Sequence, residues 1–133
     1  MKPNILIITS NFYEDISSSL TLGAITELKK KAKVKKIIVP GVFEIPVIVA
    51  KNINKYDAFI ALGCVIKGKT PHFNFISKST INAIMFLSVK HKKPIGNGII
   101  TCFNKKQAIE RSKSKKNKGR EAAKAVLSVL KNF

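Results

Sequence analysis

Asn4-Ile5-Leu6-Ile7-Ile8-Thr9-Ser10 is an unbroken aliphatic run with polar ends, and the fold turns on how it is read. A strand with one wet face alternates apolar and polar residues. This one does not alternate, so it suits a strand buried on both faces, as in a parallel sheet covered by helices. Outward from it, Glu14 opens a segment with Ile16, Leu20, Ile25 and Leu28 on roughly one helical face, ending in Lys29 to Lys31, as a helix dipole prefers. Val34 to Val39 reads as a second strand, and Pro40-Gly41 as a turn. Pro46 is best tolerated in the first turn of a second helix that runs to about Asn52.

The rest of the chain repeats the alternation. Asp57 to Ile66 is a third strand and Lys67 to His72 a loop. Phe73 to Val89 has Ile76, Ile81, Ile84 and Leu87 at near-helical spacing. Pro94 precedes a fourth strand, Ile95 to Thr101. Two helices follow, one opened by Asn104 with Gln107 three residues on, a capping-box pattern, and one spanning about Gly119 to Lys131. Strands alternating with helices imply right-handed crossovers and an α/β fold, a four-stranded parallel sheet with helices on both faces. A chain of 133 residues supports one core, so residues 1–133 form a single domain. Ligands of such sheets bind beyond the carboxyl ends of the strands, which directs attention to Ser10–Tyr13, Gly41–Glu44, Cys64–His72 and the end of the fourth strand.

Composition narrows the function. No apolar run approaches the ~20 residues that cross a bilayer, and no signal-peptide pattern opens the chain, so a cytoplasmic protein without a membrane partner is expected. Cys64 and Cys102 lack CxxC spacing or a His/Cys cluster, so neither a disulfide framework nor a metal site is expected. The net charge of +18 points first to phosphates, yet nearly all of it is Lys, with Arg only at Arg111 and Arg120. A surface selected for bidentate phosphate or guanine contacts would favour Arg, and the pattern fits drift in an AT-rich genome better. The densest run, Lys113 to Lys118, reads as a solvated helix junction. A basic nucleic-acid-binding module would show aromatics interleaved with basic residues, or a known motif, and neither is present.

Gly63-Cys64-Val65-Ile66-Lys67-Gly68-Lys69-Thr70 matches the phosphate-loop pattern GxxxxGK[ST] between a strand and a helix. Such a loop wraps consecutive backbone N–H groups around phosphates, whereas Cys64-Val65-Ile66 is apolar, partly β-branched and suited to continuing the strand. No later strand ends in an Asp that could help hold Mg²⁺. Nucleotide hydrolysis is therefore disfavoured.

The same stretch, Ala61 through Phe73, resembles the signature of the lumazine synthases. Pro40-Gly41-Val42-Phe43-Glu44-Ile45-Pro46 is similar to that family's PGAFEIP element. Gln107-Ala108-Ile109-Glu110-Arg111, with Asn117-Lys118-Gly119, is similar to its C-terminal pattern. The resemblance covers nearly the whole chain and implies a three-layer, flavodoxin-like αβα fold. It implies a cofactor-free transferase that condenses 5-amino-6-(D-ribitylamino)uracil with 3,4-dihydroxy-2-butanone 4-phosphate, releasing phosphate and water, in the penultimate step of riboflavin biosynthesis. It further implies a homopentamer or higher assembly with sites between subunits, and a riboflavin synthase as a partner. An archaeal-type riboflavin synthase on the same fold is the nearest rival.

Residue by residue, His72 matches the family's catalytic histidine, and an imidazole titrating near neutrality suits a reaction whose every step moves protons. His91, at a helix end between Lys90 and Lys92, belongs to no motif. Lys69 and Thr70 match phosphate-contact positions. Arg111 matches the arginine that reaches the phosphate from a neighbouring subunit. Phe12 matches the aromatic that stacks on the pyrimidine, and Val42, Phe43 and Glu44 correspond to the segment contacting the ribitylaminouracil, with Cys64, Val65 and Ile66 along the adjacent strand end. Lys118 resembles a lysine near the pyrimidine. Asn97 stands where many members carry a pocket aromatic, and its amide can hydrogen-bond the uracil edge. Asn11 and Lys67 each stand where the family often has arginine, and the first strand begins almost at Met1, without the extension that joins a neighbour's sheet in shell-forming members.

Overall fold

The computed structural model describes residues 1–133, apart from the side chain of Ser114. The order is β1 (Asn4–Ser10), α1 (Glu14–Leu28), β2 (Lys33–Val39), α2 (Ile45–Asn52), β3 (Ala58–Ile66), α3 (His72–His91), β4 (Ile95–Cys102), α4 (Lys105–Ser112) and α5 (Lys118–Asn132), with 3₁₀ turns at Val42–Glu44 and Ser114–Lys116. The sheet is parallel throughout, ordered β2-β1-β3-β4. The chain leaves β1 toward β2, then crosses back to β3 and on to β4. The direction therefore reverses between β1 and β3, the point at whose carboxyl ends sheets of this kind bind their ligands.

Strand periodicity sorts the core into two layers. Ile5, Ile7, Ile60, Leu62 and Ile100 pack with Ile16, Leu20 and Leu28 of α1, Ala108 of α4, and Ala123 and Val126 of α5. Leu6, Ile8, Phe59, Ala61 and Ile99 pack on the other face with Ile45 and Val49 of α2 and Ile84 of α3. Ile5 to Ile8 are wholly buried, as the aliphatic run required. At about 1.5–3 kcal/mol for each buried aliphatic side chain, these four residues anchor β1 firmly in the core. The outer strand β2 differs: Lys33, Val34, Lys35, Lys36 and Ile38 are all exposed. Lysines on such an edge discourage pairing with a stray strand.

The α1–α5 contact fixes where the C-terminal helices stand. A Cβ on Gly119 would lie 2.0 Å from the Leu20 carbonyl oxygen, so only glycine permits this approach. Buried Asn117 locks the junction: its Oδ1 accepts from the Arg120 N–H at 3.0 Å, capping α5, while its Nδ2 donates to the carbonyls of Ser19 at 2.9 Å and Ser112 at 2.8 Å.

Several boundaries depart from the sequence expectation. The first helix stops at Leu28, leaving Lys29 to Lys31 in a turn where Lys30 has φ 67°. Asp57 lies just outside β3; its Oδ2 accepts from the Asn4 N–H at 2.7 Å and closes the amino end of the sheet. His72 is the first residue of α3 rather than the last of a loop, and Lys118 begins α5. Gly63 to Ile66 continue β3, as their apolar character suggested, and do not form a phosphate loop. Asn104 caps α4 as expected, accepting from the Gln107 N–H at 2.9 Å, but Gln107 Oε1 reaches one residue further back, accepting from Phe103 N at 2.8 Å.

Candidate active site

Three strand ends build one half of the candidate site. After β1, the Asn11 N–H donates to the Val39 carbonyl at 3.1 Å and ties the ends of β1 and β2 together. This leaves Phe12 73% exposed, held edge-on by Tyr13 at a centroid distance of 5.0 Å. After β2, the 3₁₀ turn lies against β3, and a Cβ on Gly63 would come within 2.7 Å of Val42 Cγ1. Val42 is consequently buried, while Phe43 is 62% exposed and Glu44 half-buried. Ser10 Oγ lies beside Gly63 at the reversal point, buried and without a hydrogen-bond partner among the described residues. Sequence reasoning did not single it out, because its isolation depends on β1 and β3 being neighbours.

The third strand end is apolar at its base and basic at its tip. Val65 is buried, Ile66 half-buried, and Cys64 points into the layer beneath α1 and α4. Burial, then the neighbouring Cys102, push the Cys64 thiol up to about 12. Such a thiol stays protonated and chemically quiet. The Lys67 N–H donates to the Cys102 carbonyl at 2.8 Å, and Lys67 Nζ stands 5.4 Å over the Phe103 ring. Beyond this anchor Gly68 to His72 are exposed. Thr70 Oγ1 accepts from the His72 N–H at 3.4 Å and the Pro71 carbonyl from the Asn74 N–H at 3.0 Å, so the first turn of α3 is partly satisfied by its own chain, with Lys69 exposed just ahead of it.

Asn97, Arg111 and Lys118 lie elsewhere. They line a groove of about 420 Å³ along the free edge of β4, with Ile99, Thr101 and Ala122. The Pro94 and Cys102 carbonyls accept from Phe59 and Lys67, so the odd-numbered residues of β4 turn their backbone groups away from β3. Side chains occupy those groups. Asn97 Oδ1 accepts from the Ile99 N–H at 3.1 Å, and Arg111 Nη1 donates to the Thr101 carbonyl at 3.1 Å. Lys118 Nζ is paired with Glu121 at 3.2 Å. Gly96 keeps the strand close to α5, since a Cβ there would lie 2.7 Å from the Ala122 carbonyl oxygen.

The two groups stand apart. With β3 and β4 between β1 and the groove, Phe12 is roughly 10 Å or more from the free edge of β4. A cavity of about 1050 Å³ is an open recess at the amino end of the sheet, lined by Lys2, Asn4, Asp57 and Lys131 among others, and holds none of the candidate residues. Among the described residues no His, Cys, Asp or Glu group is arranged to hold a metal ion, and no helix is long and apolar enough to cross a membrane.

The family model described as 6,7-dimethyl-8-ribityllumazine synthase matches residues 2–133. The chain is similar to the 6,7-dimethyl-8-ribityllumazine synthase of Bartonella tribocorum (strain CIP 105476 / IBS 506), at 45% identity over 97% of this chain and 89% of that protein. It is also similar to 6,7-dimethyl-8-ribityllumazine synthase 1 of Rhodopseudomonas palustris (strain ATCC BAA-98 / CGA009), at 44% identity over 96% of this chain and 83% of that protein. The 6,7-dimethyl-8-ribityllumazine synthase of Buchnera aphidicola subsp. Schizaphis graminum (strain Sg) is 43% identical over 96% of this chain and 85% of its own length.

Proposed function

The chain belongs to the 6,7-dimethyl-8-ribityllumazine synthase family, and from that premise we propose that it joins 5-amino-6-(D-ribitylamino)uracil to 3,4-dihydroxy-2-butanone 4-phosphate with no cofactor. The match across residues 2–133, together with relatives that carry one activity in their names, favours this reaction over the riboflavin synthase and nucleic-acid readings.

The proposed site is composite. Phe12 stacks on the pyrimidine, Val42 to Glu44 hold its polar edge and ribityl chain, and Val65 and Ile66 form the floor. Cys64, whose thiol is buried, contributes through its backbone. Lys69, Thr70 and the α3 N-terminus receive the phosphate. His72 moves protons through imine formation, loss of phosphate and ring closure. A second copy of the chain supplies Arg111 to the phosphate, and Asn97 and Lys118 to the uracil. One observation supports the sharing: the last three residues line a groove of their own along β4, to which neither Phe12, the Val42–Glu44 turn nor the Lys69–His72 segment contributes. A closed ring, for which we propose a pentamer, would apply each copy's groove to the next copy's strand ends. Docking would exclude water from His72 and strengthen the charges around the phosphate. This reading also implies a riboflavin synthase as the consumer of the product, and the cytoplasm as the compartment.

The reaction is tested by incubating the pure, metal-free protein with both substrates while following lumazine fluorescence and phosphate release. Both signals should rise together without nucleotide. A requirement for ATP and Mg²⁺ would overturn the assignment.

A further inference from the structure

Near the C-terminal end of α4, Arg111 lies against the last two residues of β4. Its Nη1 donates to the Thr101 carbonyl at 3.1 Å and lies 3.7 Å from Cys102 Sγ, a contact within the range of an N–H···S hydrogen bond. Both acceptors are firmly placed. The Cys102 carbonyl accepts from the Lys67 N–H at 2.8 Å, and its side chain is 1% exposed, packed in the same core layer as Cys64. A carbonyl and a sulfur thus engage one end of the guanidinium. Its Nε and Nη2 have no hydrogen-bond partner among the described residues, while the side chain lines the groove. Those two nitrogens form the side of the fork that grips two oxygens of a tetrahedral oxyanion.

We propose that Cys102 is a positioning residue: its sulfur and the Thr101 carbonyl clamp Nη1 of Arg111, turning the Nε/Nη2 edge toward a phosphate monoester. The proposal rests on the reading of Arg111 as a phosphate contact. Cys102 itself touches no substrate. Without the sulfur the guanidinium pivots about a single hydrogen bond, and the cost falls on binding of the phosphate substrate.

The test uses two substitutions whose order separates clamping from packing. Valine preserves approximate volume and apolarity but cannot accept a hydrogen bond; serine is smaller and more polar but can. Sulfur is a weak acceptor, so Cys102→Val should raise KM for the butanone phosphate about three- to tenfold, leaving kcat and the pyrimidine KM within about twofold. Cys102→Ser should stay within about twofold of the parent in all three. A packing role predicts the opposite order, with valine tolerated and serine impaired, and that result would overturn the proposal. In an Arg111→Ala background, Cys102→Val should add nothing to the phosphate KM. If Arg111→Ala itself leaves that KM unchanged, the phosphate reading of Arg111 fails. If it raises KM while Cys102→Val does not, the clamp alone fails. Thermal melts check folding, and if valine unfolds the protein, Cys102→Ala replaces it, with the same rise expected.

Discussion

The two halves of the proposed site are built in opposite ways. In the β4 groove each candidate side chain is already held: Asn97 by the Ile99 N–H, Arg111 by the Thr101 carbonyl, Lys118 by Glu121. At the strand ends the candidates stand open, with Phe12, Phe43, Lys69, Thr70 and His72 all exposed. The groove is preorganised by its own chain, whereas the strand ends depend on substrate and on the neighbouring copy for their surroundings. Loss of a groove residue should therefore register as weaker binding of one substrate. Loss of a strand-end residue should register in turnover.

His72→Ala should have the largest effect on that contrast. Proton transfer by one positioned side chain is typically worth ~10²–10⁴-fold, and partly spontaneous early steps place the expected loss in kcat toward the low end, about a hundredfold. A pre-steady-state measurement at saturating substrates checks it. An unchanged rate would remove His72 from the mechanism.

Arg111→Ala comes next, with a different signature. A charge-assisted hydrogen bond contributes about 1.5–3 kcal/mol, so KM for the butanone phosphate should rise roughly ten- to a hundredfold. Calorimetric titration with a pyrimidine analogue should find unaltered affinity. Equal weakening toward both ligands would erase the distinction between the halves.

The smallest effect concerns Cys64, which lies under the strand ends without joining the surface there. Its thiol pKa is raised from 9.0 to about 12. In the folded state it stays neutral while the unfolded state ionises, so its contribution to stability is complete below about pH 9 and declines as pH rises toward 12. Chemical denaturation across that window should show Cys64→Ala losing stability less steeply than the parent, with kinetics at neutral pH little changed. A large kinetic defect in a folded Cys64→Ala protein would place the thiol in the site after all.

The sheet was legible in the sequence wherever burial was two-sided. The aliphatic run of β1 matches its strand end to end, because a central parallel strand covered on both faces hides consecutive large apolar side chains. Local charge was a poorer guide. Lys29 to Lys31 suit a helix C-terminus, but the route to β2 requires a left-handed residue at Lys30, which charge cannot reveal. Asn117 was read only as part of a motif beside a lysine run, though its amide bridges α1, α4 and α5. Those partners lie as far as 98 residues away in sequence. His72 and Arg111 could be named from motifs. That Asn97, Arg111 and Lys118 share a groove could not, because the groove exists only if β4 is an edge strand, and strand order is a property of packing.

The shared site is the central claim, and mixing subunits tests it most directly. A ring assembled from Arg111→Ala and His72→Ala copies contains junctions where an intact groove meets an intact strand end. Refolding the two variants together, with mass spectrometry to establish mixed rings, should give lumazine formation well above the sum of the separate variants. Mixed rings whose activity never exceeds that sum would mean that each pocket is completed within one chain, contradicting the account.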